Sequence, residues 1–309
     1  MSTPNFQDAY KALEAAKAEA AVAIAKGART GNVDVMQLAD ERVASASSEL
    51  REAYMRTYVE TDKGAILKAE YDAIEKLAKD NNKDISKIIL RLSVEGGRIT
   101  NASFANFGLN NITALSALTE LRTLELADNQ IVDISPLAQL TKLKGLWLEN
   151  NKIVDISALA RLTELSVLRL SDNKIIDILP LARHTKLTML ALVNNQIVDI
   201  TTFAQLTELT ELELGNNQIV DISTLAQLAK LTTLDLNNNQ IVDISTLAQL
   251  AKLERLWLHD NQIIDINSLA QLTNLRKLWI RGNPLLETPK LESFIKEMRS
   301  RRCLVEFVL

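Results

Sequence analysis

The sequence predicts an α/β solenoid: a stack of short coils whose strands form one parallel sheet, preceded by an α-helical N-terminal domain or cap. Three observations predict it. From Leu121 the chain repeats every 22 residues, the signature of a stacked array. Within each unit, leucines alternate with polar residues over a few positions, so each unit supplies one short strand. Residues 1–80 follow a different grammar, with abundant Ala, Glu and Lys and few β-branched residues, and read as helix.

Taken in order, residues 1–80 divide into three predicted helices at 4–26, 34–60 and 64–80. Phe6, Ala9, Tyr10 and Leu13 recur at helical spacing, as do Tyr71, Ile74 and Leu77. Breaks fall at Gly27–Gly31 and Asp62–Gly64; Asn32 or Asp34 would cap the second helix and Asp62 the third. Residues 81–120 form an opening segment with a degenerate first repeat. Two registers fit it: residues 99–120 as a worn unit with Phe107 at the usual Asn position, or a start at Ile89, Leu92, Val94, Gly97 and Ile99 followed by an insertion. In both, the N-terminal helices would cover the open end of the array, because an uncapped terminal coil exposes its core.

Residues 121–282 hold the regular units, starting at Leu121, Leu143, Leu165, Leu187, Leu209, Leu231 and Leu253, with an eighth at Leu275 that diverges after Asn283. Residues 283–309 read as a C-terminal cap, with a helix over Lys290–Arg301 and an apolar strand over Cys303–Leu309. The unit pattern is L-x-x-L-x-L-x-x-N-x-I-x-D-I-x-x-L-A-x-L-x-x; Leu143–Glu164 reads LKGLWLENNKIVDISALARLTE. These residues resemble the leucine-rich-repeat family, in the 22-residue class shared by internalins and the phosphatase regulator Sds22. The resemblance implies a right-handed horseshoe with the parallel β-sheet on its concave side, used as a scaffold for binding.

Leucines at positions 4 and 6 point inward, so positions 3, 5 and 7 face outward on the same strand. The Asn column at position 9 (Asn129, Asn151, Asn173, Asn195, Asn217, Asn239, Asn261, Asn283) suits backbone hydrogen bonding in the turn and the adjacent unit. The Asp column at position 13 (Asp133, Asp155, Asp177, Asp199, Asp221, Asp243, Asp265) suits capping of the turn that follows. Calcium ligation is the competing reading, though one acid per coil is sparse for a hard cation.

Function is read from the outward positions. Units 209–230 and 231–252 differ only at Glu211/Thr233, Glu213/Asp235 and Gly215/Asn237, which are positions 3, 5 and 7. Divergence confined to one face points to a recognition surface; shuffling of repeats would give the same pattern. The three tryptophans, Trp147, Trp257 and Trp279, all fall at position 5, and exposed indoles anchor interfaces. The face divides into zones. Trp147 and Glu149 lead to an apolar centre of Val167, Met189, Ala191 and Val193 with Arg169. An acidic strip of Glu211, Glu213 and Asp235 follows, then a basic and aromatic end of Arg255, Trp257, His259, Lys277, Trp279 and Arg281. Trp147 and Trp257 would lie on the order of 24 Å apart, a span suited to a protein or peptide.

Other classes fit less well. The net charge is −4, and residues 275–309 carry +4 beside −7 over 99–274, a poor footprint for nucleic acid. One cysteine and two histidines cannot build a Cys/His zinc site, and no cofactor or metal is expected. No nucleophile elbow, phosphate loop or HExxH motif occurs. Cys303 has basic neighbours in Arg301 and Arg302, yet reads as core, and His184 as a partly buried irregularity. No signal peptide or membrane-length apolar run is visible, so the expectation is a cytoplasmic, monomeric, non-enzymatic protein-binding module. Regulation of an enzyme in the Sds22 manner and an internalin-like exported effector or adhesin are the alternatives.

Overall fold

The computed structural model describes residues 6–30, 33–284, 289–301 and 303–306. Two long helices, α1 (Phe6–Thr30) and α2 (Val33–Thr57), pack on one another. Among the described residues, the side chains buried on the pair are mostly small, Ala9 and Ala20 on α1 and Ala46 and Ala53 on α2, with Leu13 the one large one. Among the described residues, this pair meets the rest of the chain through β1 (Tyr58–Thr61) and α3 (Lys68–Asp80).

The predicted helices at 34–60 and 64–80 each overrun. β1 and β2 (Gly64–Leu67) form an antiparallel hairpin between them. Tyr58-Val59-Glu60-Thr61 favours an extended chain, and Gly64 takes φ 93° at the turn. Asp62 therefore lies in that turn and does not cap α3. Helix α2 begins at Val33, which leaves Asp34 inside it, and Asn32 is outside the described residues.

The cap of the array is α3 with α4 (Ile85–Ile89) and the antiparallel strands β3 (Leu92–Glu95) and β4 (Arg98–Ser103). Ile74, Leu77 and Ala78 of α3 and Ile88 of α4 enter the same core as the coils. Strand β4 pairs in parallel with β5 (Thr123–Glu125), Asn101 opposite Thr123, a 22-residue offset. Residues 99–120 are therefore the first coil, and a start at Ile89 is excluded.

Strands β6 (Gly145–Trp147), β7 (Val167–Arg169), β8 (Met189–Ala191), β9 (Glu211–Glu213), β10 (Thr233–Asp235), β11 (Arg255–Trp257) and β12 (Lys277–Trp279) continue the sheet in parallel and in sequence order. Helix α5 (Pro289–Ser300) and β13 (Leu304–Glu306) close the far end. The predicted strand Cys303–Leu309 is thus present in its first half, and residues 307–309 lie outside the described residues.

Each coil is held in three ways. Leucines at positions 1, 4 and 6 and the apolar residues at 11, 14, 17 and 20 fill the interior; in the coil Leu231–Lys252 these are fully or almost fully buried. The Asn column forms a ladder. Asn195 Nδ2 donates to the Leu192, Val193 and Leu170 carbonyls, the last in the preceding coil, and its Oδ1 accepts from Ile175 N at 2.9 Å. The Asp column caps: Asp243 Oδ1 accepts from Ser245 N at 2.8 Å, at the start of the 3-10 turn Ser245–Gln249. These bonds hold the Asp199, Asp221 and Asp243 carboxyls below their ordinary range. Capping is thus what the column does, as the residue pattern predicts.

Two further columns were not read from sequence. Position 8 takes a left-handed backbone: Asp128, Asn150, Asp172, Asn194, Asn216, Asn238 and Asp260 have φ of 50–57°, and Gly282 has 68°. Asn, Asp and Gly are the residues that tolerate it. From Glu120 to Lys230, position 22 alternates in charge, and Glu120–Lys142, Glu164–Lys186 and Glu208–Lys230 pair at 2.6–2.7 Å across adjacent coils; Lys252 and Asn274 follow without that alternation.

Candidate functional site

The sheet register assembles the candidate surface. Its position-5 row runs Glu125, Trp147, Arg169, Ala191, Glu213, Asp235, Trp257, Trp279, each opposite the next. Its position-3 row runs Thr123, Gly145, Val167, Met189, Glu211, Thr233, Arg255, Lys277. Twelve of the sixteen residues expected on this face lie in these two rows, while Glu149, Val193, His259 and Arg281 follow their strands at position 7; the sixteen are not equally accessible.

Ala191 is corrected first: it is 1% exposed and offers no contact surface. A methyl group between the longer Arg169 and Glu213 on either side is covered by them. Arg255, Lys277 and Arg281 are exposed, and the remaining predicted residues are half-buried. Half-burial of the tryptophans has a specific cause in each case. The Trp147 indole folds back over its own strand, so that a Cβ at Gly145 would fall 2.5 Å from the ring. Glycine at 145 is what lets the indole lie flat. Trp257 and Trp279 stack face to face, with centroids 4.6 Å apart and planes within 3°.

The acidic strip is partly desolvated. Burial pushes the Glu213 carboxyl up, and the neighbouring Glu211 and Asp235 add to the rise against Arg169. Burial also pushes Asp235 up, against the Asn237 N–H that it accepts at 2.9 Å and the nearby His259. Glu149 is raised by burial as well, although Arg169 opposes the shift, and its Oε2 has no hydrogen-bond partner. Oriented to donate, the Asn237 amide bonds Asp235 Oδ2 at 2.9 Å and accepts from His259 Nε2 at 3.3 Å. The same amide leans over Gly215, where an added Cβ would push it aside. The Gly215/Asn237 difference between the near-identical units is therefore a packing pair, and Thr233, buried and accepting from Arg255 Nε at 3.2 Å, is another neighbour contact.

These shifts set a pH dependence. An acid raised in the fold binds its proton more tightly there than in the unfolded chain. Stability will rise as pH falls from 7 through the raised values of Glu149, Glu213 and Asp235. It will fall again below about 4, where the Asp199, Asp221 and Asp243 caps protonate. Melting curves from pH 7 to 3 check this; a monotonic fall from 7 downward would contradict it.

Two residues with reactive side chains lie away from this face and are buried. His184 is fully buried, not partly, and burial lowers its pKa; its Nδ1 lies 3.3 Å from the Leu181 carbonyl. Cys303 is buried beneath the C-terminal cap and its thiol is pushed up to about 11, so it is core. Among the described residues, no group of three or more His, Cys, Asp or Glu is arranged to hold a metal, and no helix is long and apolar enough to cross a membrane.

Comparison with known proteins agrees with this architecture. The family model "Leucine Rich repeats (2 copies)" matches residues 119–161, 141–183, 185–227, 207–249 and 251–293. A comparison with curated proteins finds no significant match. Among solved structures, internalin C2 of Listeria monocytogenes is 40% identical with a TM-score of 0.58; the match covers 67% of this chain and 90% of that one. A repeat protein of Leptospira interrogans is 27% identical with a TM-score of 0.52, over 64% of this chain and 57% of that one. The ectodomain of the Arabidopsis receptor kinase HAESA, solved with a peptide hormone, shares the fold at 23% identity and a TM-score of 0.57, over 63% of this chain and 36% of that one. The 22-residue register, the Asn ladder and these matches together place the chain in the leucine-rich-repeat family, with repeats like those of the internalins.

Proposed function

We propose that the chain is a non-enzymatic protein-binding module whose site is the concave sheet face. The observation that carries this reading is the placement of all three tryptophans, half-exposed, on that one face. A half-exposed indole still has apolar surface to bury, and aromatic anchors dominate binding energy. The partner fits as a folded protein or extended peptide. It would offer apolar side chains to Trp147, Val167, Met189 and Val193, basic groups to Glu213 and Asp235, and acidic groups to Arg255, Lys277 and Arg281. A cytoplasmic partner is the expectation carried over from the sequence.

The test is a triple variant, Trp147→Ala, Met189→Ala and Trp257→Ala. None of these side chains belongs to the interior core, so the melting temperature should stay within a few degrees of the parent. Affinity capture from the source cell, with partners identified by mass spectrometry, should lose the partner recovered by the parent chain. Unaltered recovery would overturn the proposal. Copurification of a catalytic subunit, lost with the same variant, would place the module in enzyme regulation.

A further inference from the structure

The coils carry a second surface that the concave site does not use. Position 12 is Val132, Val154, Ile176, Val198, Val220, Val242 and Ile264, and each is 43–57% exposed. Single exposed aliphatics are ordinary, whereas seven in register along one flank form a continuous apolar ridge. Furrows of about 270, 280 and 370 Å³ lie between its successive rows, lined in the largest case by Val242, Asp243, Ser245, Ile264 and Asp265. The adjoining position 13 supplies an exposed Asp in the same seven coils, each fixed in place by the N–H two residues on.

That Asp column is uncompensated. Among the described residues, none of its seven members is in an ion pair, while the position-22 column pairs Glu with Lys. Lys152 and Lys174 occupy position 10 beside it in two early coils, but Gln196, Gln218, Gln240 and Gln262 do so later. Asp199 and Asp243 partly oppose the lowering of the Asp221 carboxyl by its Ser223 hydrogen bonds, so the members feel one another. A surface with a fixed acidic rail beside an apolar ridge complements a cationic amphipathic segment.

We propose that the flank from Val198 to Ile264 docks a cationic amphipathic α-helix of a partner protein. Its apolar residues would seat in the furrows and its Lys or Arg side chains would reach Asp199, Asp221, Asp243 and Asp265. Geometry selects a helix over an extended segment. A helix returns the same face every 5.4 Å. Coils stacked about 4.8 Å apart drift from that by only about 2 Å over four rows. An extended chain repeats its face every ~6.7 Å and loses register by about 2 Å at each row.

The probe is a labelled Leu/Lys peptide of about 18 residues, with Leu at i, i+3, i+4 and i+7, titrated into the full chain by fluorescence anisotropy. Two variants report on the flank. Val198→Thr, Val220→Thr and Val242→Thr together remove the ridge at near-constant shape. Asp199→Asn, Asp221→Asn and Asp243→Asn together remove charge while keeping a capping oxygen, so the fold persists. Each should weaken binding at least tenfold, and the second should also flatten the salt dependence. The concave triple variant should bind the peptide unchanged.

Four results would overturn the proposal. One is no binding to the parent chain, and another is equal binding of a scrambled peptide of the same composition. A third is loss of binding in the concave variant. The fourth is self-association of the chain that the Val→Thr variant abolishes, which would make a second copy the occupant.

Discussion

Arg98→Ala will destabilise the chain by about 3 kcal/mol and loosen the N-terminal cap. Glu70, on α3, is 1% exposed, and it accepts from Arg98 Nε at 2.5 Å and from Ile99 N at 2.6 Å. Arg98 also approaches Glu120 at 3.7 Å, so it ties the cap to the end of the first coil. Removing the guanidinium leaves a buried carboxylate with one remaining hydrogen bond. Breaking a buried pair this way costs roughly 3–5 kcal/mol. Arg98 is 35% exposed, and solvent screening sets the figure at the lower end. Urea unfolding of the parent and variant measures it. Adding Glu70→Gln to Arg98→Ala should recover most of the loss, because the buried charge is then gone. A loss below about 1 kcal/mol would mean that Ile74 and Leu77 hold the cap without the ion pair.

Asn195→Ala will cost about 3 kcal/mol and divide the array into two unfolding units. The side chain serves four backbone groups in two coils, donating to Leu170, Leu192 and Val193 and accepting from Ile175. Alanine serves none, and a buried unpaired group costs roughly 1–3 kcal/mol. Position 195 lies near the middle of the stack, where each coil is stabilised mainly by its neighbours. Weakening that one junction should replace a single unfolding transition with two. Hydrogen exchange at the Ile175 amide should accelerate with it. A single transition with unchanged midpoint would show that the ladder is redundant with the leucine core.

How much of this was legible in the sequence differs by region, for physical reasons. The coils were legible because every unit repeats the same constraint: Leu at 4 and 6 can only go inside, and Asn at 9 and Asp at 13 have one set of backbone groups to satisfy. The N-terminal region has no such redundancy. Tyr58–Leu67 sits between helices rich in Ala and Glu, and its short extended pattern is lost in that context until Gly64 is seen to turn. On the sheet face, periodicity set which residues share a row but not their mutual cover. That Ala191 is hidden depends on long side chains in the two neighbouring strands. That Trp257 and Trp279 stack depends on their rotamers, which periodicity does not specify. The exposed row from Val132 to Ile264 went unread because aliphatic residues next to a buried Ile at position 11 look like core. Position 12 nevertheless lies exposed in each of the seven coils.

The alternation of Glu and Lys at the last position of the unit has a further consequence. Glu120 holds Lys142, Glu164 holds Lys186 and Glu208 holds Lys230, so the coils are fastened in twos. Between Glu120 and Lys230, removing or duplicating a single coil brings like charges together, whereas a change by two coils keeps Glu opposite Lys. The natural step for lengthening or shortening this stretch of the horseshoe, from Glu120 to Lys230, is therefore a doublet, and a protein engineer resizing it there should cut and paste in that unit.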